Sequence, residues 1–180
     1  MNRGGQRMNK KKKRMIYRVS VLGLLAAMVF YAAYESMKEE AETAMTSKGE
    51  LAPNFAGETV ADDMLVLSNE LEGKTLINFW GSWCEPCKRE MPALESAHSK
   101  YKDNGFKVIS INLGQSDFIA GQFIDQYQLT FPVMIDQDGS IKEAYSVGNL
   151  PASFLVDENG VIEEVHEGEL SEEMLEGWIN

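Results

Sequence analysis

Two cysteines, three positions apart, carry the clearest chemical signal in this sequence of 180 residues, which contains no others. Cys84 and Cys87 follow an apolar run at 75–80 and open a stretch with helical character that extends to about residue 102. At a helix N-terminus, unpaired N–H groups and the helix dipole stabilise a thiolate, which is the form that attacks a disulfide. The second thiol, one turn further on, can resolve the mixed disulfide. The spacing therefore predicts a redox-active dithiol with Cys84 and Cys87 as catalytic residues.

Two other uses of a cysteine pair fit this sequence less well. A structural disulfide between such close neighbours closes a small loop and restricts the unfolded chain little. Half of a zinc site needs further ligands, and besides the pair the sequence offers only His98 and His166, both predicted to be surface residues. We therefore expect no metal, and no cofactor other than the redox-active disulfide itself.

Three residues beside the cysteines are expected to tune them. Glu85 lies between them and, if charged, opposes thiolate formation, while Pro86 stiffens the first helical turn. Glu90, one turn beyond Cys87, is the third candidate catalytic residue, because a carboxylate there could take a proton from a thiol or return one. A solvated helix carboxylate is the alternative interpretation of Glu90. Both acids favour a less oxidising dithiol, which suits a reductant.

The order of apolar segments and turns predicts an α/β fold. Crossover helices imply parallel strands, and a C-terminal hairpin adds an antiparallel edge, so we expect a mixed central sheet flanked by helices, preceded by an N-terminal β-hairpin. The predicted elements are a hairpin with strands at 58–60 and 64–67, a strand at 75–80, a helix at 84–102, a strand at 107–113, a helix at 116–127, a strand at 131–136, a helical turn at 141–145, strands at 151–157 and 161–166, and a helix from 171.

The N-terminal segment has the composition of a membrane anchor. Eight of the 17 Lys and Arg residues, and no acids, lie in residues 1–18, and the next 16 residues carry no charge. With the preceding apolar residues, this segment is long enough to span a bilayer as a helix. Tyr17 and Tyr34 at its ends are suited to interfacial anchoring. A cleaved signal peptide and a soluble amphipathic helix are the alternatives.

These features predict a single-pass protein of the cell membrane. Residues 1–18 form a basic cytoplasmic N-terminus, 16–34 a transmembrane signal-anchor, 35–50 a tether, and 51–180 a domain on the extracytoplasmic face. That orientation follows the positive-inside rule. The formal net charge of the whole chain is -11, and nine basic against 28 acidic residues beyond residue 18 argue against nucleic acid as a partner.

The stretch 80–92, Trp-Gly-Ser-Trp-Cys-Glu-Pro-Cys-Lys-Arg-Glu-Met-Pro, resembles the active-site segment of the thioredoxin superfamily. It is most similar to the ResA branch of that superfamily, which consists of membrane-anchored thiol-disulfide oxidoreductases. The resemblance implies a thioredoxin fold over 51–180. It also implies reduction of the Cys-x-x-Cys-His disulfide of apocytochrome c during cytochrome c maturation, with electrons supplied by a CcdA-type transmembrane partner.

The resemblance assigns roles to further positions. Pro151 matches the cis-proline that faces the active site, and Leu150 would offer its backbone to an extended substrate. Trp83, beside the first cysteine, completes the candidate substrate-binding set, because its indole could cover the thiols. Asn78 stands where thioredoxin has a buried aspartate, which leaves proton handling to a carboxylate elsewhere. Gln115 departs from the family pattern, since an acid is expected near that position.

Three rival functions use the same fold. Reduction of other extracytoplasmic disulfides, such as those of spore-envelope proteins, keeps the chemistry and changes the substrate. A dithiol oxidase is disfavoured by the acidic residues around the thiols. A peroxidase is disfavoured because no Thr-x-x-Cys precedes the site.

Overall fold

The computed structural model describes the backbone of residues 10–43 and 46–180, and the side chains of residues 14–31 and 46–180. The chain divides into two compact units, residues 1–43 and 44–180. Part of the predicted basic N-terminus, the side chain of the candidate anchor Tyr34 and part of the predicted tether lie outside the described residues.

The first unit contains one long helix, α1 (Lys10–Thr43). Within it, the segment Arg14–Tyr31 is long and apolar enough to cross a membrane, and it is the one such segment among the residues that the structure describes. Every described side chain of this segment is exposed. The helix includes the predicted transmembrane segment and continues well into the residues predicted as a tether.

Within residues 46–180, the chain forms seven strands, four α-helices and two short 3-10 helices. Each predicted strand and helix is present, and its ends differ from the prediction by one or two residues at most. In chain order the elements are β1 (Ala56–Glu58), β2 (Met64–Val66), β3 (Lys74–Trp80), α2 (Glu85–Tyr101), β4 (Phe106–Leu113), α3 (Asp117–Tyr127), β5 (Val133–Asp136), α4 (Ser140–Ala144), β6 (Ala152–Val156), β7 (Ile162–Glu167) and α5 (Glu172–Ile179).

The central sheet is mixed, as predicted, with the strand order β5-β4-β3-β6-β7. Strands β3, β4 and β5 are parallel, and the hairpin β6–β7 adds two antiparallel strands. Strands β1 and β2 form a separate antiparallel pair. Because β3 is the central strand, the loop that follows its C-terminal end at Trp80 lies at the middle of the sheet, at the C-terminal ends of the parallel strands.

Side chains that alternate along β3 supply both hydrophobic cores. Leu76 and Trp80 pack with residues of α2, α3 and α5 on one face, whereas Ile77 and Phe79 pack with the β1–β2 hairpin and α4 on the other. All four are fully buried, and each such side chain contributes about 1.5–3 kcal/mol to folding. This central strand therefore holds the start of α2 in a fixed position.

The second unit begins before residue 51. The backbone N–H of Thr46 donates to the carbonyl of Tyr145, and the N–H of Gly49 donates to the carbonyl of Ile162 at the start of β7. The N–H of Ile162 donates in turn to the carbonyl of Glu50. Residues 46–50, assigned to the tether from the sequence, are thus hydrogen-bonded to the folded body.

The prediction that His98 lies on the surface is wrong. His98 lies on the face of α2 that packs toward β4, and it is buried. Its Nδ1 accepts a hydrogen bond from the N–H of Val108 at 3.2 Å, and burial lowers its pKa. The histidine therefore satisfies a backbone donor of β4 from inside the core.

Candidate active site

The turn between β3 and α2 places Cys84 at the N-cap of the helix. The N–H of Cys84 donates to the carbonyl of Gly81, and the carbonyl of Cys84 accepts the first helical hydrogen bond from Lys88. The Sγ of Cys84 accepts from the N–H of Cys87 at 3.2 Å. The sulfur therefore faces the unpaired N–H groups at the positive end of the helix, where a thiolate is stabilised.

Cys84 and Cys87 form a disulfide. Cys84 retains 9% of its surface exposed, whereas Cys87 is completely buried. A disulfide or thiolate partner from another molecule can reach only the first of the two sulfurs. The structure thus distinguishes an accessible sulfur from a buried one that reacts from within.

The carboxylate of Glu85 points away from the protein. Its side chain is 71% exposed, and its Oε1 accepts from the Nζ of Lys88 at 2.6 Å. This lysine, through its hydrogen bond and its charge, lowers the pKa of Glu85. The residue is therefore charged, but its charge is partly neutralised by a neighbour one turn away.

Glu90 lies on the opposite face of α2, and only 1% of it is exposed. Its Oε1 accepts from the Nδ2 of Asn78 at 2.9 Å, and its Oε2 accepts from the N–H of Leu170 at 3.0 Å. Burial raises the pKa of Glu90 to about 7, against the two hydrogen bonds, which lower it, and the negative charge of Glu169 raises it further. A carboxyl group with this pKa exchanges protons readily near neutral pH.

Asn78 holds this carboxyl group from the sheet. The residue is completely buried in the middle of β3, and its Nδ2 donates both to Glu90 and to the Oγ of Ser153 on β6, the latter at 3.0 Å. Asn78 and Ser153 are register partners on adjacent strands, so both side chains lie on the same face of the sheet. The amide is uncharged and cannot accept a proton from a thiol at neutral pH, which leaves Glu90 as the acid in this pocket.

The loop before β6 lies at the same end of the strands as the disulfide, because Ala152 at the start of β6 pairs with Phe79 near the end of β3. The peptide bond between Leu150 and Pro151 is cis, as the resemblance implied. Pro151 is buried and its carbonyl accepts from the N–H of Gly168, while Leu150 packs against the core cluster that contains both cysteines. The predicted substrate-binding pair is thus brought to the disulfide from a distance of more than 60 residues along the chain.

Trp83 presents an exposed aromatic surface beside the disulfide. Its side chain is 59% exposed. A Cβ added at Gly81 would lie 2.6 Å from the indole ring, so only glycine lets the backbone approach Trp83 this closely. The ring therefore lies against the turn and is available to an incoming partner.

Gln115 braces the same turn from the loop after β4. Its Oε1 accepts from the N–H of Ser82 at 2.9 Å and from the Nδ2 of Asn112 at 2.8 Å, and its Nε2 donates to the Oγ of Ser82 at 2.7 Å. A carboxylate could not make the last of these bonds as a donor. The departure from the expected acid therefore has a structural role in this chain.

Two groups at the site were not found from the sequence. Leu170 supplies a backbone N–H to Glu90 from 80 residues away, and no side-chain pattern announces a backbone donor. Arg89 and Glu169, which directly precede Glu90 and Leu170 in sequence, form an ion pair, with the Nη2 and Nε of Arg89 at 2.7 and 2.8 Å from the same Oε2. The basic and acidic types were visible in the sequence, but their partnership depends on the fold.

The arrangement can carry out thiol-disulfide exchange. After reduction of the pair, the sulfur of Cys84, which retains a small accessible surface, can attack a disulfide. The fully buried thiol of Cys87 can then attack Cys84 and release the substrate. That second step requires the thiol of Cys87 to lose its proton. The buried carboxyl group of Glu90, poised near neutral pH, is suited to accept it.

Comparisons with known proteins agree with this chemistry. The family model Redoxin matches residues 47–177. The chain is 37% identical to the thiol-disulfide oxidoreductase ResA of Oceanobacillus iheyensis, over 95% of this chain and 90% of that protein. It is 34% identical to ResA of Bacillus subtilis, over 95% of this chain and 94% of that protein. Among solved structures, StoA from Bacillus subtilis superposes with a TM-score of 0.64 at 31% identity, covering 72% of this chain and 98% of StoA.

Proposed function

Because the chain belongs to the redoxin family and, within it, to the ResA-type thiol-disulfide oxidoreductases, we propose that it reduces the haem-binding disulfide of apocytochrome c outside the cytoplasm. The observation that supports the proposal is the unequal burial of the two cysteines, together with a buried carboxyl group on the same helix. An accessible Cys84 caps α2, a fully buried Cys87 stands behind it, and a buried Glu90 holds a carboxyl group whose pKa is about 7.

The reaction starts from the dithiol form of the enzyme. The thiolate of Cys84 attacks one sulfur of the substrate disulfide, forms a mixed disulfide and releases the other substrate sulfur as a thiolate, which takes a proton from water. Cys87 then gives its proton to Glu90 and attacks the sulfur of Cys84. The second substrate sulfur leaves as a thiolate and takes the proton held by Glu90. The substrate is then a dithiol that has gained two electrons, and the enzyme holds the Cys84–Cys87 disulfide seen in the structure.

The carboxyl groups favour this direction of electron flow. A negative charge near a thiol disfavours the thiolate and makes the disulfide the relatively more stable form. Glu85 and Glu90 both act in this sense, although Lys88 offsets part of the first charge. We expect a reduction potential well below the value of about -120 mV that marks strong dithiol oxidants.

The substrate binds across the exposed rim of the site. Trp83 offers an aromatic surface, and the backbone at Leu150, next to the cis bond of Pro151, offers hydrogen-bonding groups to an extended segment. A CcdA-type transmembrane protein returns two electrons to the disulfide after each turnover. The dithiol is the only redox group on this chain that the cycle requires.

The N-terminal helix determines where in the cell the protein acts. The segment Arg14–Tyr31 has the length and composition to cross a bilayer. Lys and Arg residues precede it, so the N-terminus stays in the cytoplasm and the folded body lies outside. Disulfides persist on that side of the membrane, and a reductant there needs electrons carried across the membrane.

The experiment is a gene deletion complemented by the wild type or by Cys84→Ser. We expect the deletion strain to lose haem-stained c-type cytochromes, and both an added thiol reductant and the wild-type gene to restore them. The Cys84→Ser gene should fail to restore them while the protein accumulates in the membrane. Normal cytochromes in the deletion strain would exclude apocytochrome c as the substrate and direct attention to other extracytoplasmic disulfides.

A further inference from the structure

Successive residues at the end of β7 and in the connector to α5 contact two elements of the site, the loop that contains Pro151 and the helix α2. Gly168 donates its N–H to the carbonyl of Pro151 at 2.8 Å, and the side chain of Glu167 accepts from Asn149 in the same loop. The next two residues turn to the active-site helix. Glu169 pairs with Arg89, and Leu170 donates its N–H to Glu90. We call residues 167–170 the clasp.

The clasp delivers one hydrogen bond and one charge to the buried carboxyl group. The hydrogen bond comes from a backbone held firmly in place, since Leu170 is 1% exposed and packs in the core cluster that contains both cysteines. The charge comes from Glu169, whose carboxylate acts on Glu90 but is shared with Arg89 on the outer surface of α2. Both partners are exposed, and each directly precedes in sequence one residue of the buried contact: Arg89 precedes Glu90, and Glu169 precedes Leu170.

We propose that the Arg89–Glu169 ion pair sets the proton affinity of Glu90 through the charges of its two partners. The effect of this ion pair on catalysis rests on the proposed function. The titration of Glu90 itself takes place whether or not apocytochrome c is the substrate. Glu169 opposes the charged form of Glu90, and Arg89 cancels part of that opposition. The balance between the two sets the pH at which Glu90 can accept a proton.

An electrostatic role and a purely mechanical role of the ion pair predict different directions for the pKa shift of Glu90 in the two variants. Loss of either partner breaks the same ion pair, so a mechanical role predicts that both losses displace Leu170 in the same way and shift Glu90 in one common direction. An electrostatic role predicts opposite directions. Without Glu169, a positive charge remains near Glu90 and its pKa falls; without Arg89, a negative charge remains and its pKa rises.

Other groups around Glu90 must be kept constant in the measurement. The reduced cysteines titrate themselves, so the titration is made on the disulfide form. The sheet contributes the uncharged Asn78 and Ser153. Besides Arg89 and Glu169, the titratable or charged groups on the elements around Glu90 are Glu85, Lys88, Glu95, His98, Lys100 and Tyr101 on α2, Lys74 on β3, Glu163, Glu164, His166 and Glu167 on β7, and Glu172, Glu173 and Glu176 on α5.

The experiment titrates Glu90 in the full chain, oxidised and held in detergent micelles. Side-chain carboxyl carbons of glutamate are labelled with carbon-13, and the Glu90 signal is assigned by its absence in Glu90→Gln. We expect the pKa to fall in Glu169→Gln and to rise in Arg89→Gln, each by about half a unit, because exposed charges are screened by solvent. The double variant should return toward the wild-type value, and Arg89→Lys should retain it.

The chain offers a matched control. Lys100 and Glu176 form a similar exposed ion pair between α2 and α5, at 2.7 Å, three turns further along α2. Lys100→Gln and Glu176→Gln should leave the Glu90 titration unchanged. Shifts in the same direction for Arg89→Gln and Glu169→Gln, or no shift in either, would overturn the proposal. Since no substrate is present, neither result depends on whether the protein acts on apocytochrome c.

Discussion

The two faces of the first turns of α2 carry the same residue type in opposite environments. Glu85 on the outer face is 71% exposed and paired with Lys88, and its pKa lies below the usual range. Glu90 on the inner face is 1% exposed and hydrogen-bonded to neutral groups, and its pKa is raised to about 7. Five positions along one helix thus separate a solvated charge from a buried carboxyl group that titrates near neutral pH.

The comparison shows that sequence distance to the cysteines is a poor guide to function here. Glu85 is the nearer of the two acids in sequence, yet solvent and Lys88 screen its charge. Glu90 is further away in sequence, but burial removes it from water and makes its protonation state responsive near neutral pH. The helical period, rather than proximity, decides which acid faces the chemistry.

The largest expected difference between the two acids is in rate. We expect Glu90→Gln to slow reduction of a small peptide disulfide at pH 7 by about 100-fold, because a general base contributes at least that factor. Glu85→Gln should change the rate by less than about threefold. Stopped-flow measurements on the fully reduced protein test both variants, and equal losses would contradict the distinction between the faces.

The second difference is in stability. Because the folded-state pKa of Glu90 lies above the reference value of 4.5, the folded protein binds more protons than the unfolded chain between about pH 4.5 and 7. The stability contributed by Glu90 is therefore full below this range and is lost as the pH rises through 7. From pH 5 to 8, we expect the wild type to lose about 2 kcal/mol relative to Glu90→Gln.

Urea unfolding of the oxidised protein at the two pH values measures this loss. Glu85→Gln serves as the control. The pKa of Glu85 is lowered in the folded state, so this residue does not take up a proton on folding and its loss should not remove the fall in stability between pH 5 and 8. A wild-type protein whose stability does not change relative to Glu90→Gln would show that burial of the carboxyl group does not raise its pKa.

A second acid placed on the inner face should sharpen the contrast. Asn78→Asp puts a carboxyl group in hydrogen-bonding contact with Glu90, and two such groups cannot both ionise easily. We expect the pH at which the exchange rate rises to move upward and the rate at pH 7 to fall about tenfold. The exposed Asn54→Asp is the control, and its pH–rate profile should match that of the wild type.

A further acid on the outer rim should have the smallest effect. Gln115→Glu restores the residue type expected from the family pattern and removes the hydrogen bond from Nε2 to the Oγ of Ser82. Because the side chain is half-buried at the surface, we expect the rate of peptide reduction to stay within about twofold of the wild type. A tenfold loss would show that acids at the rim affect exchange as strongly as Glu90.

Local patterns in the sequence predicted most of the fold. The β3 run is apolar on both faces, which is typical of a central strand, and Ser116 and Ser171 accept hydrogen bonds at the N-termini of α3 and α5, as N-cap residues do. The mixed sheet follows from the order of these elements. The same reasoning placed His98 on the surface, because a single histidine in a helix gives no sign of which backbone N–H will donate to its ring nitrogen.

Some features of the active-site segment 80–92 follow from its local sequence, and others depend on the fold. Sequence determined the dithiol, its place at a helix N-terminus and the presence of two nearby acids, because these depend on residue type and on spacing of a few positions. Tertiary structure decided that Glu90 is buried, that Asn78 and the N–H of Leu170 bind it, and that Arg89 meets Glu169. The two hydrogen bonds to its carboxyl group and the negative charge that acts on it come from residues 12 and about 80 positions away, and only folding brings them within reach.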